Sequence, residues 1–251
     1  MPTTTDEASG ATARPPRDTA RLFNDVGGLY DRFARVMDAS RAPANSWLNG
    51  HLGSGHRALD VGCGVGRYTV ELADRYDDVV GIDVAPAMIE IAARERSRPN
   101  IHYQIRDVLS LTPEQDGRFD LVLAVSCVVH VGPPKLVLSH LRRLVAKDGT
   151  LLLLEPMWHP GWETRDWQVD FAFRAARAAW DAAGDVDDVA TVLQVVLSPM
   201  WSEMMGISVP LAREDFLREY SAALPGVIIE EGSDLFGLGF FAVSWSAADE
   251  L

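Results

Sequence analysis

Three glycines at alternate positions, Gly62, Gly64 and Gly66, stand in the stretch ALDVGCGVGRYTVELA, behind the acidic Asp60 and ahead of a segment with helical spacing. Glycine accepts positive φ and leaves no side chain between backbone and ligand. Such a loop turns tightly, and the helix start behind it aims free N–H groups at whatever docks there. Spacing narrows the docked group. A dinucleotide fingerprint anchored on Gly62 and Gly64 needs its third glycine where Arg67 stands, and a phosphate-cradling P-loop needs a Gly-Lys-Ser/Thr that is absent. Two further carboxylates extend the pattern. Asp83 closes an apolar run roughly twenty residues beyond Asp60, where a carboxylate can accept both hydroxyls of a ribose. Asp107 closes the next run, where it can accept from the exocyclic amine of an adenine. Asp60, before the loop, suits a cationic amino group and no pyrophosphate. Together these residues describe an adenosine joined to a zwitterion.

The elements that must position them are legible as alternating patterns. Runs of strand length and β-branched character occur at RALDV (57–61), DVVGID (78–83), IHYQIRD (101–107), FDLVLAVS (119–126) and TLLLLEP (150–156), and helical spacing fills 66–75, 86–97 and 134–146. Strands alternating with helices predict a doubly wound α/β fold, a mostly parallel sheet with helices on both faces. VIIEEGSDL (227–235) and GFFAVSWSA (239–247), connected around 236–238, add an edge hairpin and bring the sheet to seven strands. Ahead of the sheet, Leu22, Phe23, Val26, Tyr30, Phe33 and Met37 share a helical face, with Gly27-Gly28 as a break, and a further helix covers 44–52. After the fifth strand, Trp158, Trp162, Trp167, Phe171, Phe173, Trp180, Met200, Trp201, Met204 and Met205 crowd a segment outside the alternation, with a helix over 163–183. The expected division is a disordered tail at 1–20, N-terminal helices at 21–56, a ligand-binding core at 57–156, an inserted helical cap at 157–210, and a C-terminal helix with the edge hairpin at 211–251.

Composition sets the outer bounds. With 251 residues, 47% of them apolar, the chain can bury a sizeable core. A formal charge of −13 repels phosphate backbones and anionic lipid, so neither nucleic acid nor a membrane surface is expected as a partner. No run approaches the roughly 18 apolar residues of a membrane span, and the polar, proline-containing start has no signal-peptide core. Cys63 and Cys127 form no spaced metal or redox motif and read as reduced thiols of a cytoplasmic protein.

In order and spacing, LDVGCGVGRYTVELA, VVGIDVAPAMIEIAARE, IRDVLSL, FDLVLAVSCVVHV and LRRLVAKDGTLLLLEP resemble the successive motifs of class I S-adenosylmethionine-dependent methyltransferases over about residues 57–156. The resemblance implies a last strand antiparallel to its neighbours and S-adenosyl-L-methionine as cofactor. It assigns the methionine part to Asp60 and the Gly62, Cys63, Gly64 and Gly66 backbone, the ribose to Asp83 with Val84, and the adenine to Asp107 and Val108. Val125 and Ser126 would lie under the methionine part. Met88 would pack beside the adenine ring or simply face the core. FNDVGGLYDRFARVMD, with Tyr30, resembles the N-terminal helix that small-molecule members of the ubiquinone and menaquinone type fold over the cofactor.

Methyl transfer from a sulfonium is an in-line displacement, so alignment and water exclusion come first, and a base is needed only where the acceptor loses a proton. The candidates are His130, Glu155 and Tyr30, with His159 and Asp170 behind them. His130 and Glu155 follow the fourth and fifth strands, and either could instead hold local structure, Glu155 by capping a neighbouring helix. SCVVHV stands where base- and glutamine-methylating members carry Asn/Asp-Pro-Pro-Tyr, and the carboxylates of metal-dependent catechol-type members are absent, so no metal is expected. Trp158, Trp167, Phe171, Trp201 and Met205 are the expected acceptor contacts. Such a wall encloses an apolar or aromatic small molecule, cages a methylammonium by cation–π contact, or forms a homodimer interface. The expectation is metal-independent methylation of a small apolar or aromatic molecule at O, N or C in secondary metabolism. Its rivals are a non-catalytic cofactor binder and an enzyme that uses the sulfonium to promote cyclisation.

Overall fold

Apolar runs buried on both faces become the strands of a single sheet in a computed structural model that describes residues 19–208, 210–233 and 238–250. They are β1 (Gly55–Val61), β2 (Tyr76–Asp83), β3 (Ile101–Ile105), β4 (Phe119–Val125), β5 (Val145–Pro156), β6 (Ile228–Ser233) and β7 (Gly239–Ser246), in the order β3-β2-β1-β4-β5-β7-β6. All pairings are parallel except those of β7, which runs antiparallel to both β5 and β6. The order reverses between β1 and β4. Connections leaving these two strands therefore diverge to opposite sides and open a crevice beyond their carboxyl ends.

Helices α1 (Thr19–Ser40) and α2 (Ala42–His51) precede the sheet. α3 (Arg67–Ala73), α4 (Pro86–Glu95), α5 (Pro113–Asp116), α6 (Val128–Val131) and α7 (Pro134–Leu144) connect its strands. α8 (Arg165–Ala183), α9 (Val186–Val196) and α10 (Pro199–Ile207) form the insertion after β5, and α11 (Arg213–Ala223) leads to β6. The expected tail falls outside the described residues as far as residue 18, as does the hairpin connection at 234–237. Among the described residues no helix is long and apolar enough to cross a membrane.

Period-two alternation sorts side chains to the two faces. Val122, Ala124, Leu151 and Leu153 meet Leu141 of α7 and Phe216 and Tyr220 of α11, while Leu121, Leu123, Leu152 and Leu154 meet Leu48 of α2 and Leu72 of α3. Full burial of each such leucine contributes about 1.5–3 kcal/mol. A further core lies off the sheet. Leu22, Phe33 and Met37 of α1 pack with Trp167 and Phe171 of α8, Val192 and Val195 of α9, and Met204 and Met205 of α10. Arg32 of α1 reinforces that contact by pairing with Asp188 at 2.9 Å and Asp185 at 3.3 Å. Gly27 leaves helical geometry (φ 17°, ψ −103°), so α1 bends at the expected Gly27-Gly28 break. Thr164 caps α8, its hydroxyl accepting from the Trp167 N–H at 3.2 Å.

Gly66, at φ 81°, opens α3, and a Cβ there would run into the Tyr103 hydroxyl of β3. Gly66→Ala should lower unfolding stability in urea by about 2–3 kcal/mol. Adding Tyr103→Phe, which removes the obstructing oxygen, should recover part of that loss.

Candidate active site

The crevice widens into a cavity of about 420 Å³ reached by the glycine loop, the ends of β2, β3 and β4, α1, and the α8–α10 insertion. The loop is shaped from behind. At Gly62 (φ 64°) an added Cβ would lie 2.5 Å from the Cys127 sulfur, so only glycine fits. At Gly64 (φ 52°) a Cβ would meet nothing within 4 Å, so the bare backbone faces open space. The Asp83 carboxylate fixes this shape, one oxygen accepting from the Gly64 N–H at 2.9 Å and the other from the Ala85 N–H at 2.8 Å. Gly66 does not line the cavity; its place is the α3 packing described above.

Asp60, Asp83, Val84, Met88, Asp107, Val108, Val125 and Ser126 all line the cavity, with Gly62, Cys63 and Gly64. Asp60 is 2% exposed and accepts from the Thr69 hydroxyl at 2.6 Å; burial pushes its carboxyl up to about 7. Burial also raises Asp83, against the pull of its backbone donors. Asp107 caps the turn at 108–110, accepting from the Leu109 N–H at 2.9 Å. Burial beside these carboxylates raises both the Cys63 and Cys127 thiols well above their ordinary range, which keeps them protonated and poor nucleophiles.

Helix α1 is pinned over the loop by ion pairs. Asp31 holds Arg96 at 2.8 Å, Arg96 donates to the Val65 carbonyl at 3.1 Å, and Asp38 pairs with Arg67. Phe23, Phe33 and Asp38 line the cavity from the α1 segment that the resemblance puts over the cofactor, and Arg41 and Arg67, which no motif marks as site residues, line it beside them. The amphipathic spacing of α1 by itself marks only an apolar face, and Arg67 is informative in the sequence only as a missing glycine.

At the other end of the cavity, Ser126 adopts φ 51°, a left-handed geometry that no other non-glycine among the described residues shares. It turns the chain from β4 into α6, which carries His130. The His130 ring lies edge-on to Phe23 at 5.7 Å, and its Nδ1 is 2.7 Å from the Ser208 hydroxyl just after α10. Ser208 is 3% exposed, and no motif had marked it. Tyr30 packs on Phe23 at 5.6 Å, and burial raises its phenol, which therefore stays protonated.

Glu155 does not reach the cavity. It is 3% exposed, and its carboxylate accepts from the Cys127, Val128 and Val129 N–H groups at 3.1, 3.1 and 3.3 Å, where it caps α6. Burial outweighs these donors and pushes it up to about 7. Trp158, 40% exposed, also lies off the cavity. His159 contacts the neighbouring Pro160 carbonyl, and Asp170 pairs with Arg174 along α8, so neither lines it.

The insertion supplies the apolar wall, through Trp162, Trp167, Phe171, Trp201, Met204 and Met205. Trp167 stacks on Phe171 at 5.3 Å and lies 5.1 Å from Trp162, while Trp201 meets Phe33 edge-on at 5.3 Å. The indole N–H groups of Trp162, Trp167 and Trp201 are buried with no hydrogen-bond partner. Each buried donor left unmet costs on the order of 1–3 kcal/mol. Among the described residues no cluster of three or more His, Cys, Asp or Glu side chains could hold a metal.

Residues 58–149 match a family model described as a methyltransferase domain. A ubiquinone biosynthesis O-methyltransferase of Acinetobacter baylyi is 34% identical over 109 residues, 41% of this chain and 46% of that protein. A demethylmenaquinone methyltransferase of Beutenbergia cavernae is 32% identical over 155 residues, 59% of this chain and 62% of that protein. The chain thus spans about half to three-fifths of these curated relatives. Among solved structures, one described as a DhpI-SAH complex superposes with a TM-score of 0.63 at 17% identity, covering 92% of this chain and 97% of that one, a likeness of fold.

Glu155→Ala should lower stability by about 2–4 kcal/mol, because it strips three buried N–H groups of their acceptor. Amide hydrogen exchange should quicken at 127–129 well before the β4 core, and unchanged exchange there would contradict the capping role.

Proposed function

We propose that the chain is a class I S-adenosylmethionine-dependent methyltransferase and that it methylates a small, largely apolar molecule held between the glycine loop and the aromatic insertion; the methyltransferase-domain match and the quinone-methyltransferase relatives support the reading. One observation carries the reading: a bare backbone at Gly64 opens onto the same cavity as Asp60, Asp83 and Asp107, while uncharged aromatic and thioether side chains form the opposite wall.

The residues present fit the cofactor. Asp60, buried and bonded to Thr69, forms no ion pair among the described residues, which leaves its charge for an amino group; Arg41 and Arg67 bring positive charge for a carboxylate; Asp83 and Asp107 have oxygens for ribose and adenine. S-adenosylmethionine, when bound, supplies a methyl group activated by a sulfonium. The protein's own tasks are to orient the acceptor and exclude water. The α1 ion pairs and the shared α1–α10 core close the cavity from above, and Ser126 and Val125 form its floor.

Where the acceptor is a hydroxyl, its proton goes to His130 through Nε2, with Nδ1 held by Ser208. Protonated Tyr30 is a donor that orients rather than a base. The two unpaired buried thiols and the acidic surface suit the cytoplasm.

Incubating the chain with labelled S-adenosylmethionine and a panel of phenols, amines, indoles and isoprenoids, followed by mass spectrometry, tests the reading; cofactor bound but never consumed would leave a binder instead. Two quantitative outcomes are expected. Affinity for S-adenosylhomocysteine by calorimetry should rise with pH through about pH 7, because Asp60 is neutral below its shifted value and attracts the ammonium only when ionised. Asp60→Asn should flatten that dependence. His130→Ala should slow turnover of a hydroxyl acceptor by about 10²–10⁴-fold while leaving S-adenosylhomocysteine affinity within a few-fold.

A further inference from the structure

Three donors without acceptors stand in one wall. Trp162 lies before α8, Trp167 in its first turn and Trp201 in α10, yet all three line the same cavity and all three have a buried indole N–H with no partner. Chance burial of one indole nitrogen is unremarkable; native structures leave few buried donors unmet, and three on separate segments around one cavity call for a common acceptor. Trp167 stacks on Phe171 and Trp201 meets Phe33 edge-on, and neither contact supplies an acceptor for an indole N–H.

An indole N–H donates and cannot accept. An ammonium acceptor, itself all donor, would leave these groups unmet and would meet their positive ends. Nor does the wall suit an anion, since no Lys or Arg stands among the cavity residues contributed by the insertion. Arg41 lies between α1 and α2, Arg67 opens α3 and Arg106 follows β3, and Arg67 and Arg106 are engaged by Asp38 and Asp116. What remains is an uncharged molecule that brings oxygens.

Resting on the reading of this cavity as a methyl-acceptor site, we propose that Trp162, Trp167 and Trp201 form an oxygen-reading subsite, their indole N–H groups donating to carbonyl or ether oxygens of a neutral, ring-bearing acceptor. The subsite discriminates against hydrocarbon, cationic and anionic analogues of the same shape. It binds through the ring edges, while Phe171, Met204 and Met205 supply shape.

Calorimetry on the full chain, with and without saturating S-adenosylhomocysteine, tests this with four probes that share one ring system: acetylnaphthalene, ethylnaphthalene, naphthoate and naphthylmethylammonium. The ketone should bind about tenfold tighter than the hydrocarbon, and tighter than either ion. Trp167→Phe and Trp201→Phe keep an aromatic ring and delete the N–H; each should cut the ketone's advantage about three- to fivefold and leave ethylnaphthalene unchanged. S-adenosylhomocysteine affinity in each variant reports that the chain is folded. Equal ketone and hydrocarbon affinities in the unsubstituted chain, no binding of any probe, tightest binding of either ion, or equal losses for ketone and hydrocarbon in the variants would each overturn the subsite. Failure to bind S-adenosylhomocysteine would overturn the methyltransferase reading separately, and a ketone preference measured without it would still support the subsite.

Discussion

A carboxylate buried at the end of β1 must be compensated, and much of the architecture around it follows from that requirement. Asp60 sits at 2% exposure with one hydroxyl donor, and Asp83 lies close enough to raise it further. An apolar fold tolerates such charge only where donors or cations surround it. Within the glycine loop the Gly64 N–H answers the neighbouring Asp83 in the same way. Arg67 lends Asp60 positive charge, and the pairs Arg67–Asp38 and Arg96–Asp31 hold α1 across the loop. The same electrostatic strain that makes the site costly thus anchors its cover.

The cavity is divided by chemistry as well as by chain segment. Its sheet side carries charge and exposed backbone, contributed by loops that the sheet holds rigidly. Its other side is apolar and aromatic, contributed by helices that pack on α1 and share little with the sheet cores. His130 and Ser208 meet at the seam, one from each half. The hydrogen bond across that seam is complete only when the insertion is docked.

The strands were legible because a sheet covered on both faces demands unbroken apolar runs, and the glycine loop because only glycine satisfies a left-handed turn against Cys127. The reversed β7 followed from the family motifs. Side-chain direction was not legible. Glu155 ends a strand that points at the cavity, yet one step of the pleat turns it towards the α6 amides, and Trp158 precedes the cap helix on a segment that bends outward. The pairings of Asp31 with Arg96 and of His130 with Ser208 span long sequence separations, and no local pattern encodes a partner found only after folding.

The bond from Arg32 to Asp188 joins residues 156 positions apart, and α1 meets the insertion only through such distant contacts. Closing so long a loop is entropically slow, whereas β1, β2 and the glycine turn are near neighbours in sequence. Folding is therefore ordered: the half built on β1, β2 and the glycine turn can consolidate while the aromatic chamber is still open chain. An early compact species would hold the glycine loop in its final shape while the wall that faces it across the cavity was still missing.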